Sequence, residues 1–376
     1  MFDFEALRRF PDVEAPNLFA SDAADRLIID EAGPALLNAG PGTVVVIGDD
    51  YGALTLGAAA LYDATGIRTH QDDLSGERAL EANAEAAGLA DAYSSHPLDD
   101  SLLRNASVVL LRLPRGLDAL DEIAEAIARH AADDVRVVAG GRIKHMTPAM
   151  NEVLLRRFDR VDVTHARQKS RVLIATGVRR PSDADPPGWP RRVHDDAIGI
   201  DVIAHAAAFA GASVDIGART LLASIDDAAP SATSMIDLGC GTGVLATAIA
   251  LRRPGLRVIA SDQSAAAVAS ARETAAANGV ADRVDVVRDD ALGRQPDGSA
   301  EFIVLNPPFH IGSTVHTGIA LKLFADAGRV LAPGGELWTV WNSHLGYRAA
   351  LTRLVGPTRQ VARTAKFTVA VSTRLP

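Results

Sequence analysis

The chain has 376 residues, enough for two domains of ordinary size, each able to bury its own core. With 48% hydrophobic and 23% charged residues it is neither disordered nor fibrous, and a net charge of −9 argues against a uniformly basic nucleic-acid clamp. That charge is uneven: residues 1–190 carry 20 Lys and Arg against 30 Asp and Glu, whereas residues 191–376 carry 18 against 17.

The opening Met1-Phe2-Asp3-Phe4-Glu5 is acidic and lacks the basic-then-apolar order of a secretory signal. The longest uncharged stretch, residues 302–321, contains Asn306, Pro307, Pro308 and two histidines, which no lipid-facing helix carries without compensation. The single cysteine, Cys240, can form neither an internal disulfide nor a metal cluster and suits a reducing compartment. His310, His316 and His344 lack partners at ligand spacing, so no metal is expected. The expectation is a soluble, cytoplasmic monomer with no membrane association.

In each half, short β-branched runs alternate with alanine-rich helical stretches, which predicts two tandem doubly wound, Rossmann-like α/β domains. The expected bounds are 1–178 and 200–376, joined by an exposed connector over 179–199 that contains Pro181, Pro186, Pro187 and Pro190. In the second half the pattern predicts strands at Ser234–Leu238, Arg257–Ala260, Val284–Val287, Phe302–Leu305, Glu336–Trp341 and Phe367–Val371. Helices are predicted over Gly243–Arg253, Ala265–Asn278 and Thr317–Leu331. The stretch after Glu336 carries Arg348, Arg353, Arg359, Arg363, Lys366 and Arg374 and no acid, which reads either as a solvated arginine-rich helix or as an RNA-contacting face.

The first half repeats the second at a nearly constant displacement, which indicates internal duplication. Val46–Gly52 overlays Asp237–Gly243, Asp73 falls near Asp262, Leu113-Pro114 near Asn306-Pro307, and Lys169 near Lys366. The copies differ at chemically important places: Val46 stands for Asp237 and Asp50 for Gly241, so the first copy reads as degenerate.

The second copy carries Asp237-Leu238-Gly239-Cys240-Gly241-Thr242-Gly243 directly after a strand and at the start of a helix, where a glycine turn brings backbone close to a bound nucleotide. A dinucleotide fingerprint would need glycine at 244, and the chain has Val244. The G-x-G-x-G spacing with an acid two residues ahead resembles motif I of class I methyltransferases, which implies S-adenosylmethionine, with Asp237 near its charged amino-acid end and Gly239, Gly241 and Gly243 forming the turn. Asp262, ending the next strand, can accept from both ribose hydroxyls. Asp290 sits where the fold puts a polar residue near the adenine, or else caps a helix.

Asn306-Pro307-Pro308-Phe309-His310 follows an apolar strand. Prolines remove donors and fix the turn, leaving the Asn306 side-chain oxygen and the Pro307 carbonyl free to accept from an exocyclic amine. Phe309 offers a stacking face worth about 1–3 kcal/mol. With these motifs the second half is similar to bacterial ribosomal RNA guanine-N2 methyltransferases, in which a degenerate methyltransferase-like copy precedes an active one carrying NPPFH. Ser213-Val214-Asp215-Ile216-Gly217 resembles the family's D-x-G element, which implies that Asp215 and Gly217 help cover the cofactor. Trp341–Tyr347 and Ala365-Lys366-Phe367 resemble its C-terminal signatures. The resemblance implies methyl transfer from S-adenosylmethionine to guanine N2, with ribosomal RNA or a ribosomal subunit as partner. The first copy would then serve substrate recognition or folding. Adenine-N6 and glutamine-N5 methyltransferases share the NPP core, and a non-catalytic cofactor-binding scaffold is the non-enzyme alternative.

Overall fold

The computed structural model describes residues 2–182, 184–307 and 317–375. The chain divides into two compact units, residues 1–188 and 189–376.

In the first unit the strands are β1 (Val44–Ile47), β2 (Ile67–His70), β3 (Tyr93–Ser95), β4 (Val108–Arg112), β5 (Arg136–Arg142), β6 (Phe158–Val163) and β7 (Ser170–Val178). They form one sheet of order β3-β2-β1-β4-β5-β7-β6. β1 is a run of four buried β-branched residues, as befits a central strand covered by helices on both faces.

The second unit opens on β8 (Arg191–Asp195) and β9 (Ile200–Ala204), an antiparallel hairpin, so the stretch expected to be an exposed connector is in part a strand. Three polar residues one turn apart on the helix Ala265–Ala277 and at its end secure that hairpin. Ser270 Oγ accepts from the His205 amide, Thr274 Oγ1 from Ile203 and Asn278 Oδ1 from Asp201, at 2.9–3.0 Å. The edge of β9 is thereby satisfied by side chains where another strand would otherwise be needed.

The remaining strands are β10 (Ser234–Leu238), β11 (Arg257–Asp262), β12 (Val284–Arg288), β13 (Ala300–Leu305), β14 (Leu331–Asn342), β15 (Thr358–Arg363) and β16 (Phe367–Thr373). Their order, β12-β11-β10-β13-β14-β16-β15, repeats that of the first sheet. Both sheets are therefore doubly wound and mixed: the first five strands of the order are parallel, and β16, between β14 and β15, is antiparallel to both. The arginine-rich C-terminal stretch is a short helix, Arg348–Leu354, followed by the β15–β16 hairpin, so it is not one solvated helix.

Backbone pairing fixes how the two copies correspond. Val46 pairs with Thr69 and Leu110, and Asp237 with Ala260 and Val304. On this register Gln71, not Asp73, matches Asp262, and Arg112-Leu113, not Leu113-Pro114, matches Asn306-Pro307. Asp73 is instead the residue preceding the helix Leu74–Ala87. The Lys169 and Lys366 landmarks coincide in detail: each carbonyl accepts from the residue that follows the neighbouring strand, Ile143 at 2.9 Å and Ser343 at 2.8 Å.

Candidate active site

β10 and β13 lie side by side, with Leu238 opposite Leu305, so the glycine loop after β10 and Asn306 after β13 emerge next to each other at the carboxyl edge of the sheet. The winding of the sheet reverses between these strands, which is where open α/β sheets form a ligand crevice.

Gly239, Gly241 and Gly243 all have positive φ, at 70°, 53° and 75°. No described residue lies within 4 Å of where a Gly241 side chain would begin, so toward the described residues the loop presents bare backbone. Asp262 braces this loop: its Oδ2 accepts from the Gly241 amide at 2.9 Å and its Oδ1 from Ser264 at 3.0 Å.

Asp237 is fully buried in β10. Burial pushes its carboxyl up to about 7, against a hydrogen bond accepted by Oδ2 from the Ala246 amide at 2.9 Å; the nearby Asp262 charge adds to the rise. Its other oxygen, Oδ1, is buried with no hydrogen-bond partner among the described residues. An orphaned buried carboxylate oxygen beneath a nucleotide-type loop fits a cationic group supplied from outside.

Asn306 is the second such place. Its Nδ2 donates to Asp215 Oδ2 at 2.9 Å, while its Oδ1 is buried with no partner among the described residues. Asp215 precedes the helix Ile216–Leu222, and the same Oδ2 accepts from the Ala218 amide at 3.2 Å. Gly217 makes this approach possible, because a Cβ there would lie 2.8 Å from Asp215 Oδ2 and 3.0 Å from Asn306 Oδ1. Phe367 closes the same spot, its Cε1 3.4 Å from that position.

The sequence-predicted residues thus fall into two adjoining groups. Asp237, the three glycines and Asp262 form one; Asp215, Gly217 and Asn306 form the other, so that Asp215 and Gly217 meet Asn306. Asp290 follows β12 near Asp262, whose carbonyl accepts from the Asp289 amide at 2.9 Å, and both its carboxylate oxygens accept from Lys322 Nζ at 2.6 Å. The turn-capping role falls to its neighbour Asp289, which accepts from the amides of Asp290 and Arg294 at 2.9 and 2.8 Å. Pro307 is buried. Pro308 and Phe309, both expected in the site, lie outside the described residues. The partner of Asn306 had no sequence signal, since Asp215 is 91 residues away. Among the described residues no cluster of three or more His, Cys, Asp or Glu could hold a metal ion, and no helix is long and apolar enough to cross a membrane.

Residues 199–371 match the methyltransferase small domain family, and residues 2–179 match the RLMG N-terminal domain family. Ribosomal RNA large subunit methyltransferase G of Ectopseudomonas mendocina is 34% identical over 370 residues, covering 97% of each chain. The protein of the same name from Streptomyces coelicolor is 34% identical over 375 residues, covering 96% of each. Among solved structures, the T. thermophilus 16S rRNA N2 G1207 methyltransferase RsmC, in complex with AdoMet and guanosine, superposes with a TM-score of 0.73 over 96% of this chain and 97% of its own. At 20% identity that likeness shows the fold. With its carboxyl-edge crevice, glycine loop and near full-length similarity to these relatives, the chain belongs to the ribosomal RNA large subunit methyltransferase G family of S-adenosylmethionine-dependent methyltransferases.

Proposed function

We propose that the second unit transfers a methyl group from S-adenosylmethionine to the exocyclic N2 of a guanine in ribosomal RNA, in the large subunit as the names of its relatives have it. The observation that carries this reading is the Asn306 side chain, whose oxygen is a buried acceptor without a described partner beside a nucleotide-type glycine loop.

Asp237, Gly239, Gly241, Gly243 and Asp262 are the residues that would hold the cofactor, with the Asp237 carboxylate toward its ammonium and Asp262 toward its ribose. When bound, S-adenosylmethionine supplies an electrophilic methyl group on a sulfonium. Asn306 Oδ1, with the Pro307 carbonyl, accepts the two N–H groups of the target amine, which points the nitrogen lone pair out of the base plane and toward the methyl. No strong base is required, because the nitrogen becomes acidic once methylated and its proton then passes to water. Catalysis therefore rests on positioning. Pro308 and Phe309 complete the motif, with Phe309 as the stacking platform for an extruded base. The first unit, with Val46 and Asp50 at the positions of Asp237 and Gly241, serves substrate recognition or folding and not methyl transfer.

The test is transfer of labelled methyl from S-adenosylmethionine to protein-free ribosomal RNA, assembled subunits, DNA and release factor, followed by digestion. Label in N2-methylguanosine is expected. Label in N6-methyladenine or methylglutamine, or no transfer to any of the four, contradicts the reading.

A further inference from the structure

The two ends of an asparagine amide are alike in size and opposite in chemistry: one only accepts, the other only donates. If Asn306 is to receive an amine, its oxygen must face the base, and a rotation of half a turn would set two donors against each other. The carboxylate of Asp215 can only accept, so the end of Asn306 that faces it must be Nδ2, which sends Oδ1 to the other side. The geometry points to Asp215 as a positioning residue for methyl transfer, fixing the amide orientation of Asn306, a role apart from the cofactor covering that the resemblance implies for it. It rests on the reading that Asn306 meets the target amine.

Two further observations support it. Gly217 lacks a side chain where one would come within 3.0 Å of both Asp215 Oδ2 and Asn306 Oδ1, so the local chain leaves room for this pair. The first unit contains the same connection with other occupants. Asp22 caps the helix Ala23–Leu36, as Asp215 caps Ile216–Leu222, and its Oδ2 accepts from Arg112 Nη2 at 3.1 Å. Arg112 stands on the register position of Asn306. A bond from a helix-capping acid to the end of the fourth strand is thus built into the fold, and the residue at the strand end decides what it orients: an amide in the second unit, a guanidinium in the first.

A single oxygen, Asp215 Oδ2, serves both Asn306 Nδ2 and the Ala218 amide. That permits a clean test. Asp215→Ser keeps a helix cap but is one bond too short to reach Asn306, and Asp215→Asn keeps an oxygen able to serve both donors. For Asp215→Ser, melting temperature and cofactor dissociation constant should stay within experimental scatter of wild type. Its single-turnover methylation of ribosomal RNA at saturating cofactor should fall roughly 10- to 100-fold, with Asp215→Asn recovering most of that loss. Gly217→Ala, which crowds the pair without removing the cap, should also slow the step, and it carries the test if Asp215→Ser does not fold. On an Asn306→Ala background, Asp215→Ser should cost nothing further.

A wild-type rate in Asp215→Ser or Gly217→Ala overturns the inference. So does a loss in Asp215→Ser of cofactor affinity that saturating cofactor repairs, or an Asp215→Asn rate as low as that of Asp215→Ser. If Asn306→Ala itself methylates normally, the reading of the site fails and this inference with it. If Asn306→Ala is inactive while Asp215→Ser is active, only the role of Asp215 falls.

Discussion

Arg112 occupies in the first unit the register position that Asn306 holds in the second, and each is held by the acid that caps the helix ahead of β1 or β10, Asp22 in one case and Asp215 in the other. In the first unit the exchange has produced an ion cluster. Arg112 is also paired with the buried Asp25, and although burial opposes its charge, the carboxylates of Asp25, Asp50 and Asp22 hold the guanidinium ionised well beyond its ordinary range.

That cluster makes Arg112 structural. Arg112→Met would leave Asp25, whose side chain is 2% exposed, without its counter-ion. Breaking such a pair costs about 3 kcal/mol, the low end of the usual range because Arg112 itself is a quarter exposed. Denaturant melts should show this loss at neutral pH, and it should shrink as the pH falls, because burial raises the Asp25 carboxyl and it takes up a proton. Methylation by the remaining folded protein should be unchanged.

Cofactor binding should be confined to the second unit, one site per chain. Asp50 and Gly241 hold the same left-handed backbone conformation, φ 56° and 53°, so Gly241→Asp copies the first unit's residue in a conformation that aspartate adopts at a cost of about 1 kcal/mol. The variant should stay folded, melting about 2–4 °C below wild type, and lose at least tenfold in cofactor affinity by calorimetry, because its side chain fills the face that backbone presents. A second site in the wild type, or full affinity in Gly241→Asp, would contradict this.

Asp237 gives the site a pH dependence. Its carboxyl is pushed up to about 7 by burial, and a cationic cofactor group needs the ionised form. Affinity should therefore be complete above pH 7 and weaken below it, by about tenfold per pH unit. Dissociation constants at pH 6 and 8 should differ by roughly that factor, whereas Asp237→Asn should bind weakly at both. In the free protein the sign is opposite. Between an ordinary carboxyl value of about 3.9 and about 7, the folded chain holds a proton on Asp237, and on the equally raised Asp49, that the unfolded chain lacks. These two groups therefore add stability as the pH falls through that window.

The elements and the glycine loop were legible because their signals are local. Val44–Ile47 is an uninterrupted apolar run, and Asp237–Gly243 concentrates positive-φ glycines at a strand-to-helix turn. Register was not legible, because matching Asp73 to Asp262 by charge competes with matching Gln71 by strand pairing, and only the backbone decides. β8 was hidden by the prolines before it and by a composition with one apolar residue in five; its hairpin is held by Ser270, Thr274 and Asn278, which read as ordinary polar positions of an alanine-rich helix. The engagement of Asp290 by Lys322 and of Asn306 by Asp215 joins segments distant in sequence, and charge patterning within one helix or strand cannot register it.

The central claim, that Asn306 orients the target amine after the cofactor has bound, is tested most directly by single-turnover methylation of ribosomal RNA with Asn306→Ala at saturating cofactor. Melting temperature and cofactor affinity are measured on the same protein. The account predicts normal melting, a cofactor dissociation constant close to wild type, and a methyl-transfer rate lowered on the order of 100-fold, the cost of misplacing a reacting atom by about 1 Å. A variant that folds normally and transfers methyl to guanine at a near wild-type rate would contradict it.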